Sequence, residues 1–198
     1  MMIHKKTELT ACLKEDAKHY TKVTSWVKRI LHNSVTNPIN CQTEIYKYIK
    51  ALRYAEYHQN NSSLTSMGGV KSLCHTVMMM FYYRRLRNIS YKIGFQIPPN
   101  TCGYGLKIYH YGYLIINAKV RIGKNATLYP GVEIGDKGGC PTIGDNVFIG
   151  AGAKVFGPIT IGNNVTIAAN AVVTKNIPDN AVVGGVPAKI IKIKTLPQ

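Results

Sequence analysis

The stretch IGDNVFIGAGAKVFGPITIGNNVTIAANAVVTKNIP, residues 143–178, puts an aliphatic residue at every sixth position: Ile143, Ile149, Val155, Ile161, Ile167 and Val173. A period of six fits neither the 3.6 residues of a helical turn nor the strict alternation of a half-buried strand. It is the pattern of a parallel β-helix, whose coils each have three short faces and whose stacked aliphatics form one buried column. Upstream the same spacing gives Ile116, Ile122, Leu128 and Ile134. The residue after the aliphatic is glycine at 123, 135, 144, 150 and 162, expected to relieve a crowded corner in the left-handed conformation. Four positions on, the residue is small or branched, as in Val120, Ala126, Val132, Val147, Ala153, Ile159, Val165 and Ala171.

The period breaks twice. Ile108 precedes Ile116 by eight residues, so two extra residues lie around His110 in LKIYHYGYLIIN (106–117). Ile134 precedes Ile143 by nine, which adds three within DKGGCPT (136–142). Insertions in a solenoid become outward loops, and loops on a rigid scaffold are where function concentrates. His110 is the last histidine of the chain, and its place in an insertion makes it a candidate for chemistry rather than packing. Three hexads make one coil, so Ala151 and Ala169 lie above each other, with Pro130 one coil earlier. Such a line of small side chains makes a shallow groove where an extended ligand can bond to backbone groups. The plainer reading is that small residues suit tight corners.

The first part of the chain has a different period. In EIYKYIKALRYAEYHQN (44–60), Ile45, Ile49, Leu52 and Ala55 form one apolar helical face. A second helix is expected from about Val70 to Asn88, with Leu73, Val77, Phe81 and Leu86 near one face and Arg84, Arg85 and Arg87 in its last turn. That apolar side is expected to pack on the rest of the protein or another subunit; the alternative is weak association with an anionic membrane surface. The expected class is therefore α+β: an α-helical region over 1–93 and a β-helix over 94–198.

Net charge is +16 in 198 residues: +10 over 1–93 (15 basic, 5 acidic) and +6 over 94–198 (10 and 4). Such an excess favours anionic partners. Cys12, Cys41, Cys74, Cys102 and Cys140 are odd in number and lack a CxxC pair, which suits reduced thiols in a cytoplasm better than disulfides or zinc. The N-terminus lacks the apolar core of a signal peptide, and VMMMFYY (77–83) is far short of the roughly 20 residues that span a bilayer.

The segment IPPNTCGYGLKIYHYGYLIIN (97–117), the hexads of 143–178 and the ending GGVPAKII (184–191) resemble serine acetyltransferases of the hexapeptide-repeat acyltransferase superfamily. EIYKYIKALRYAEYHQN is similar to the helical part of a shorter, serine acetyltransferase-like subgroup whose members often accompany surface-polysaccharide synthesis. The resemblance spans about residues 44–192. It implies a left-handed β-helix, a homotrimer, and acetyl-CoA held between neighbouring coils, with acetyl passed directly to a hydroxyl. It makes His110 the general base, puts Ala151 and Ala169 along the pantetheine, and Lys189 at the nucleotide end of CoA. No metal and no nucleic acid enter this scheme.

On the acceptor side the chain departs from that family pattern. Gln96 stands about where the family has an aspartate, Tyr109 replaces the aspartate directly before the histidine, and DKGGCPTIGD (136–145) lacks a further histidine. The tail ends KTLPQ rather than in isoleucine. With anions lost that could hold an amino acid's ammonium, the first expected acceptor is a sugar hydroxyl of a surface-polysaccharide precursor; the alternative is serine, giving O-acetyl-L-serine for cysteine biosynthesis. A backbone carbonyl, an acid of another subunit, Glu133 or Asp136 would then orient His110. Cys140 as an acyl-carrying nucleophile is a further alternative, weakened by the lack of a second histidine nearby in sequence. A γ-class carbonic anhydrase shares the β-helix but needs three histidines on zinc, whereas this region has one. A non-enzymatic β-helix scaffold is the reading from outside catalysis.

Overall fold

A computed structural model of the chain describes residues 2–20, 41–62 and 69–195. Among the described residues, three helices, α1 (Lys6–Ala17), α2 (Gln42–Asn61) and α3 (Gly69–Ile93), precede a parallel β-helix. One face of the β-helix stacks β1 (Phe95–Gln96), β3 (Leu114–Ile116), β6 (Glu133–Gly135), β9 (Lys154–Phe156) and β12 (Val172–Val173). A second stacks β4 (Arg121–Ile122), β7 (Thr142–Ile143) and β10 (Thr160–Ile161). The third stacks β2 (Lys107–Ile108), β5 (Thr127–Leu128), β8 (Phe148–Ile149), β11 (Thr166–Ile167) and β13 (Ala181–Gly185), to which β14 (Ala188–Ile193) adds as an antiparallel hairpin.

The hexad aliphatics are the core. Ile116, Ile122, Leu128, Ile134, Ile143, Ile149, Val155, Ile161, Ile167 and Val173 are all buried, and so are the small or branched residues four positions on. Leu128 sits over Ile108, Ile149 over Leu128 and Ile167 over Ile149, so both insertions leave the column in register. The last coil is shortened: Ile177 bridges Ile161 and Val183 pairs with Ile167, each sixteen residues apart. That contraction follows Val173, where the six-residue rule ends.

The glycines do a different job from the one the sequence suggests. Gly123, Gly144, Gly150 and Gly162 are not in the left-handed region; a Cβ on Gly123 would stand 2.7 Å from the Gly144 backbone. They allow coils to approach, and asparagines take the left-handed turns instead: Asn125, Asn146, Asn164 and Asn180 have φ between 56° and 61°. Their amides form a ladder along the axis, each Nδ2 donating to the next Oδ1 at 3.0, 3.1 and 2.9 Å. The short Asn side chain both tolerates positive φ and fills its own hydrogen bonds there.

The helices close one end of the column. Ile45, Ile49, Leu52 and Ala55 of α2 are fully buried, as expected from their spacing. Beside them Arg53, also buried, gathers polar groups that the periodicity does not reveal. Its guanidinium donates to Asp16 (2.7 Å), Glu56 (3.0 Å) and the carbonyls of Cys102 (2.9 Å) and Gly103 (2.6 Å). Asp16 in turn accepts the N–H groups of Gly105 and Leu106, and Glu56 that of Asn100. A buried charge is tolerable only when paired and bonded in this way.

α3 is longer than expected and packs differently. It runs to Ile93, and it buries Ser72, Thr76, Leu86 and Ile93. Leu73, Val77 and Phe81, expected on the packed side, are exposed. No helix among the described residues is long and apolar enough to cross a membrane.

Candidate active site

His110 lies on the corner between the β2 face and the β3 face. Its register identifies the two extra residues. Lys107 and Ile108 pair with Thr127 and Leu128, and the Tyr109 ring stacks on Tyr129 at 4.6 Å, so alignment holds through 109. Gly112 then lies over Pro130, where a Cβ would be 2.9 Å from the proline Cβ. Its φ of 134° is left to glycine, and its N–H donates to the carbonyl of Ile93 at 3.2 Å. His110 and Tyr111 are therefore the inserted pair, pinned at both ends and pushed outward.

The helices hold this bulge from behind. The Cys41 thiol, at the start of α2, donates to the Tyr109 carbonyl at 3.2 Å. Tyr20 accepts the N–H of Ile108 at 3.0 Å and donates to the Leu106 carbonyl at 3.2 Å. Burial, then the nearby Cys41 and Glu44, raise the Tyr111 phenol. His110 itself is exposed, with the rings of Tyr109 and Tyr129 6.2 and 6.4 Å away, and it has no hydrogen-bond partner among the described residues.

Neither acid considered as its orienter is free for that role. Glu133 accepts from Lys154 Nζ at 3.1 Å, and the same ammonium donates to Tyr113 Oη and the Gly131 carbonyl, both at 3.1 Å. Burial works against this ammonium, but its bonds to Tyr113 and Glu133 prevail and raise Lys154. Asp136 accepts the N–H of Gly139 at 3.0 Å and lies 3.6 Å from the Cys140 sulfur. Burial and then Asp136 raise the Cys140 thiol, which opposes formation of the thiolate nucleophile.

From the His110 corner a line of small residues runs along the axis. Gly112 lies over Pro130; Gly152 N–H donates to the Pro130 carbonyl at 2.9 Å, and Asn170 N–H to the Ala151 carbonyl at 2.8 Å. Ala151 and Ala169 are exposed one above the other, as the 18-residue spacing requires. Gly184 lies against Ala168, with a Cβ there 3.2 Å from the Ala168 Cβ, and pairs with Lys189 across the hairpin. Lys189 is thus exposed at the far end of the same corner. Five strand spacings of about 4.8 Å put it about 24 Å along the axis from His110. Tyr113 and Lys154 flank the line on one side and the stack of Tyr109, Tyr129 and Phe148 on the other. The hexad pattern does not disclose this flanking, although Lys154 stands in the GAGAK motif and Glu133 lies one coil before it in register.

Comparison with known proteins agrees with this construction. Residues 140–175 match the family model for bacterial transferase hexapeptide (six repeats), and residues 113–137 that for the hexapeptide repeat of succinyl-transferase. The serine acetyltransferase of Staphylococcus xylosus is 36% identical over 144 residues, covering 65% of this chain and 67% of that protein. That of Mycobacterium tuberculosis is 44% identical over 99 residues, covering 48% and 43%. The crystal structure of Brucella abortus serine acetyltransferase in complex with coenzyme A matches with a TM-score of 0.67 at 25% identity, over 97% of this chain and 71% of that one. The Neisseria gonorrhoeae serine acetyltransferase in complex with serine matches in fold, with a TM-score of 0.63 at 24% identity over 94% and 70%.

Fold and repeats together define a hexapeptide-repeat transferase. Within that class, the chain belongs to the serine acetyltransferase family. It spans about half the length, or less, of several curated relatives that it matches.

Proposed function

We propose that the protein is an acetyl-CoA-dependent O-acetyltransferase whose acceptor is L-serine. The observation that carries the reading is the continuous corner from exposed His110, past Ala151 and Ala169, to Lys189. The coenzyme A complex of the Brucella relative and the names of the curated relatives support the donor and the acceptor. They favour serine over the saccharide that the altered acceptor-side residues suggest.

In this reading the pantetheine lies along the small-residue line, where Ala151 and Ala169 offer backbone groups and no bulk. Lys189 meets the nucleotide phosphates. The thioester then ends beside His110. A neutral hydroxyl barely ionises near neutral pH, so His110 accepts its proton as the oxygen attacks the thioester carbon. The tetrahedral intermediate collapses by breaking the carbon–sulfur bond, and the imidazolium returns the proton to the departing thiolate. Such general-base help is worth about 10²–10⁴-fold, and placing both substrates in one cleft supplies further acceleration. Two further copies of the chain, in a homotrimer, would close the exposed corner into a cleft. A cytoplasmic setting suits the donor and the free cysteines.

A saccharide acceptor is the second reading. Its support is the surroundings of His110: tyrosine rings where serine's ammonium would seek an anion, with Glu133 tied to Lys154 and Asp136 to its own turn. Thiol release from acetyl-CoA, measured with L-serine and a panel of sugars, decides between them. Serine-dependent release is expected. Turnover of a saccharide unmatched by serine moves the acceptor to the second reading, and no acceptor-dependent release at all makes the β-helix a scaffold.

A further inference from the structure

The outward side of α3 is apolar and then basic. Val70, Leu73, Val77, Met80 and Phe81 are each more than half exposed, on the side of the helix opposite Ser72, Thr76, Leu86 and Ile93. Arg84, Arg85 and Arg87 follow, with Lys92 near the end, and the 25 residues contain no acid. Between α2 and α3, a groove of about 380 Å³ is lined by Lys47, Phe81, Arg84, Arg85, Asn88 and Ile89. An exposed apolar stripe with a cationic end is the composition of a helix that lies in a bilayer interface.

We propose that α3 seats the protein on an anionic phospholipid surface, with Val77, Met80 and Phe81 entering the acyl boundary and Arg84, Arg85 and Arg87 meeting the phosphates. Charge selects this occupant. The chain has nine acidic side chains against 25 basic ones, so a second copy offers a net-positive counter-surface. Two of the acids are buried on Arg53, three pair with lysines, Glu8 and Asp136 accept backbone N–H groups of their own turns, and Asp145 and Asp179 accept them from the preceding coil. Pairing α3 with itself would set arginines against the same net-positive surface. A polyanion without acyl chains, such as nucleic acid or an acidic glycan, would answer the arginines but leave the apolar stripe in water. An anionic amphiphile satisfies both. The inference is independent of which acceptor the active site takes. It has a geometric consequence, because the Ile93 carbonyl that ends α3 holds Gly112, so the seated helix would set the His110 corner close to the membrane.

Flotation of the full chain with phosphatidylcholine vesicles, with and without phosphatidylglycerol, tests this. Binding is expected only with phosphatidylglycerol, and should weaken with salt. Each surface cation contributes about fivefold, so Arg84→Ala/Arg85→Ala/Arg87→Ala should lower partitioning by about a hundredfold, while the triple lysine replacement keeps it. Val77→Ser/Phe81→Ser should lower it by tenfold or more. All these positions are exposed, and unchanged thermal melting shows that the variants fold. No flotation, equal binding to phosphatidylcholine alone, or an undiminished triple-alanine variant overturns the proposal. So does a Val77→Ser/Phe81→Ser protein that binds vesicles normally but forms a smaller assembly by light scattering, since the face then belongs to a second copy.

Discussion

The β-helix is interrupted at two corners, and the two interruptions differ in what stands behind them. At His110 the two extra residues are pinned by the helices: the Ile93 carbonyl holds Gly112, Cys41 holds Tyr109, and Tyr20 holds Ile108. At 136–141 the extra residues close on themselves, through Asp136 and Gly139. The first insertion leaves an imidazole exposed at the head of a small-residue line; the second leaves a thiol that burial and then the Asp136 carboxylate raise. A second layer thus fixes the backbone on both sides of the first insertion. The second is a turn capped from within by Asp136.

The strongest test of that contrast removes one side chain from each corner. His110→Ala should cut turnover by about 10²–10⁴-fold while leaving CoA binding by calorimetry nearly intact. Cys140→Ser should leave turnover within about twofold. A large loss at Cys140 with little at His110 would reverse the assignment of the two corners.

The backing itself is tested at Arg53. Arg53→Ala leaves Asp16 and Glu56 buried without their cation and frees the Cys102 and Gly103 carbonyls. Loss of about 3–5 kcal/mol is expected in urea unfolding. Asp136→Ala, which removes an exposed turn contact, should cost less than about 1 kcal/mol. Equal costs would mean that the helical layer does no more for its corner than the lone turn does for the other.

These two substitutions also mark the limit of what the sequence discloses. A hexad of aliphatics states its own geometry, so the column, both insertions and the stacking of Ala151 on Ala169 can be read directly. Arg53 and Glu56 look like ordinary surface charges of a helix. Only tertiary proximity to Asp16, 37 residues away, makes them interior. On α3 the four-residue spacing of Leu73, Val77 and Phe81 indicates an apolar face but not what it meets, and Ser72 and Thr76 are on the packed side. The glycines reveal the crowding of the coils and conceal that asparagine makes the turns. Gln96, Tyr109 and the histidine-free loop 136–145 depart from the family pattern at separate places, which is why sequence motifs favour one acceptor and relatives another.

A smaller effect is expected along the line between His110 and Lys189. Ala169→Leu projects a branched chain into the line at the coil before the hairpin. A misfit of this kind costs about 1–3 kcal/mol, so KM for acetyl-CoA should rise roughly tenfold or more with kcat little changed. An equal rise from Thr142→Leu, on an exposed strand of another face, would detach CoA from this corner.

The mildest test uses protons rather than substitutions. His58 and His75, on α2 and α3, meet Nδ1 to Nδ1 at 3.0 Å among the rings of Tyr57 and Tyr82. Only one of the two nitrogens can carry the proton in that contact. Burial, then the charge of His75, lowers His58 below its ordinary 6.5; burial and then Lys107 lower His19 as well. Below about pH 6.5 the unfolded chain therefore binds more protons at these sites than the folded one, and stability falls as pH falls. The β-helix offers no comparable pair, since His110 is the one histidine after residue 93. Amide exchange at pH 7.5 and 5.5 should show protection falling first in α2 and α3 and later in β8 and β11. Loss of protection that begins in the β-helix would mean the helices do not form the acid-sensitive layer behind the His110 corner.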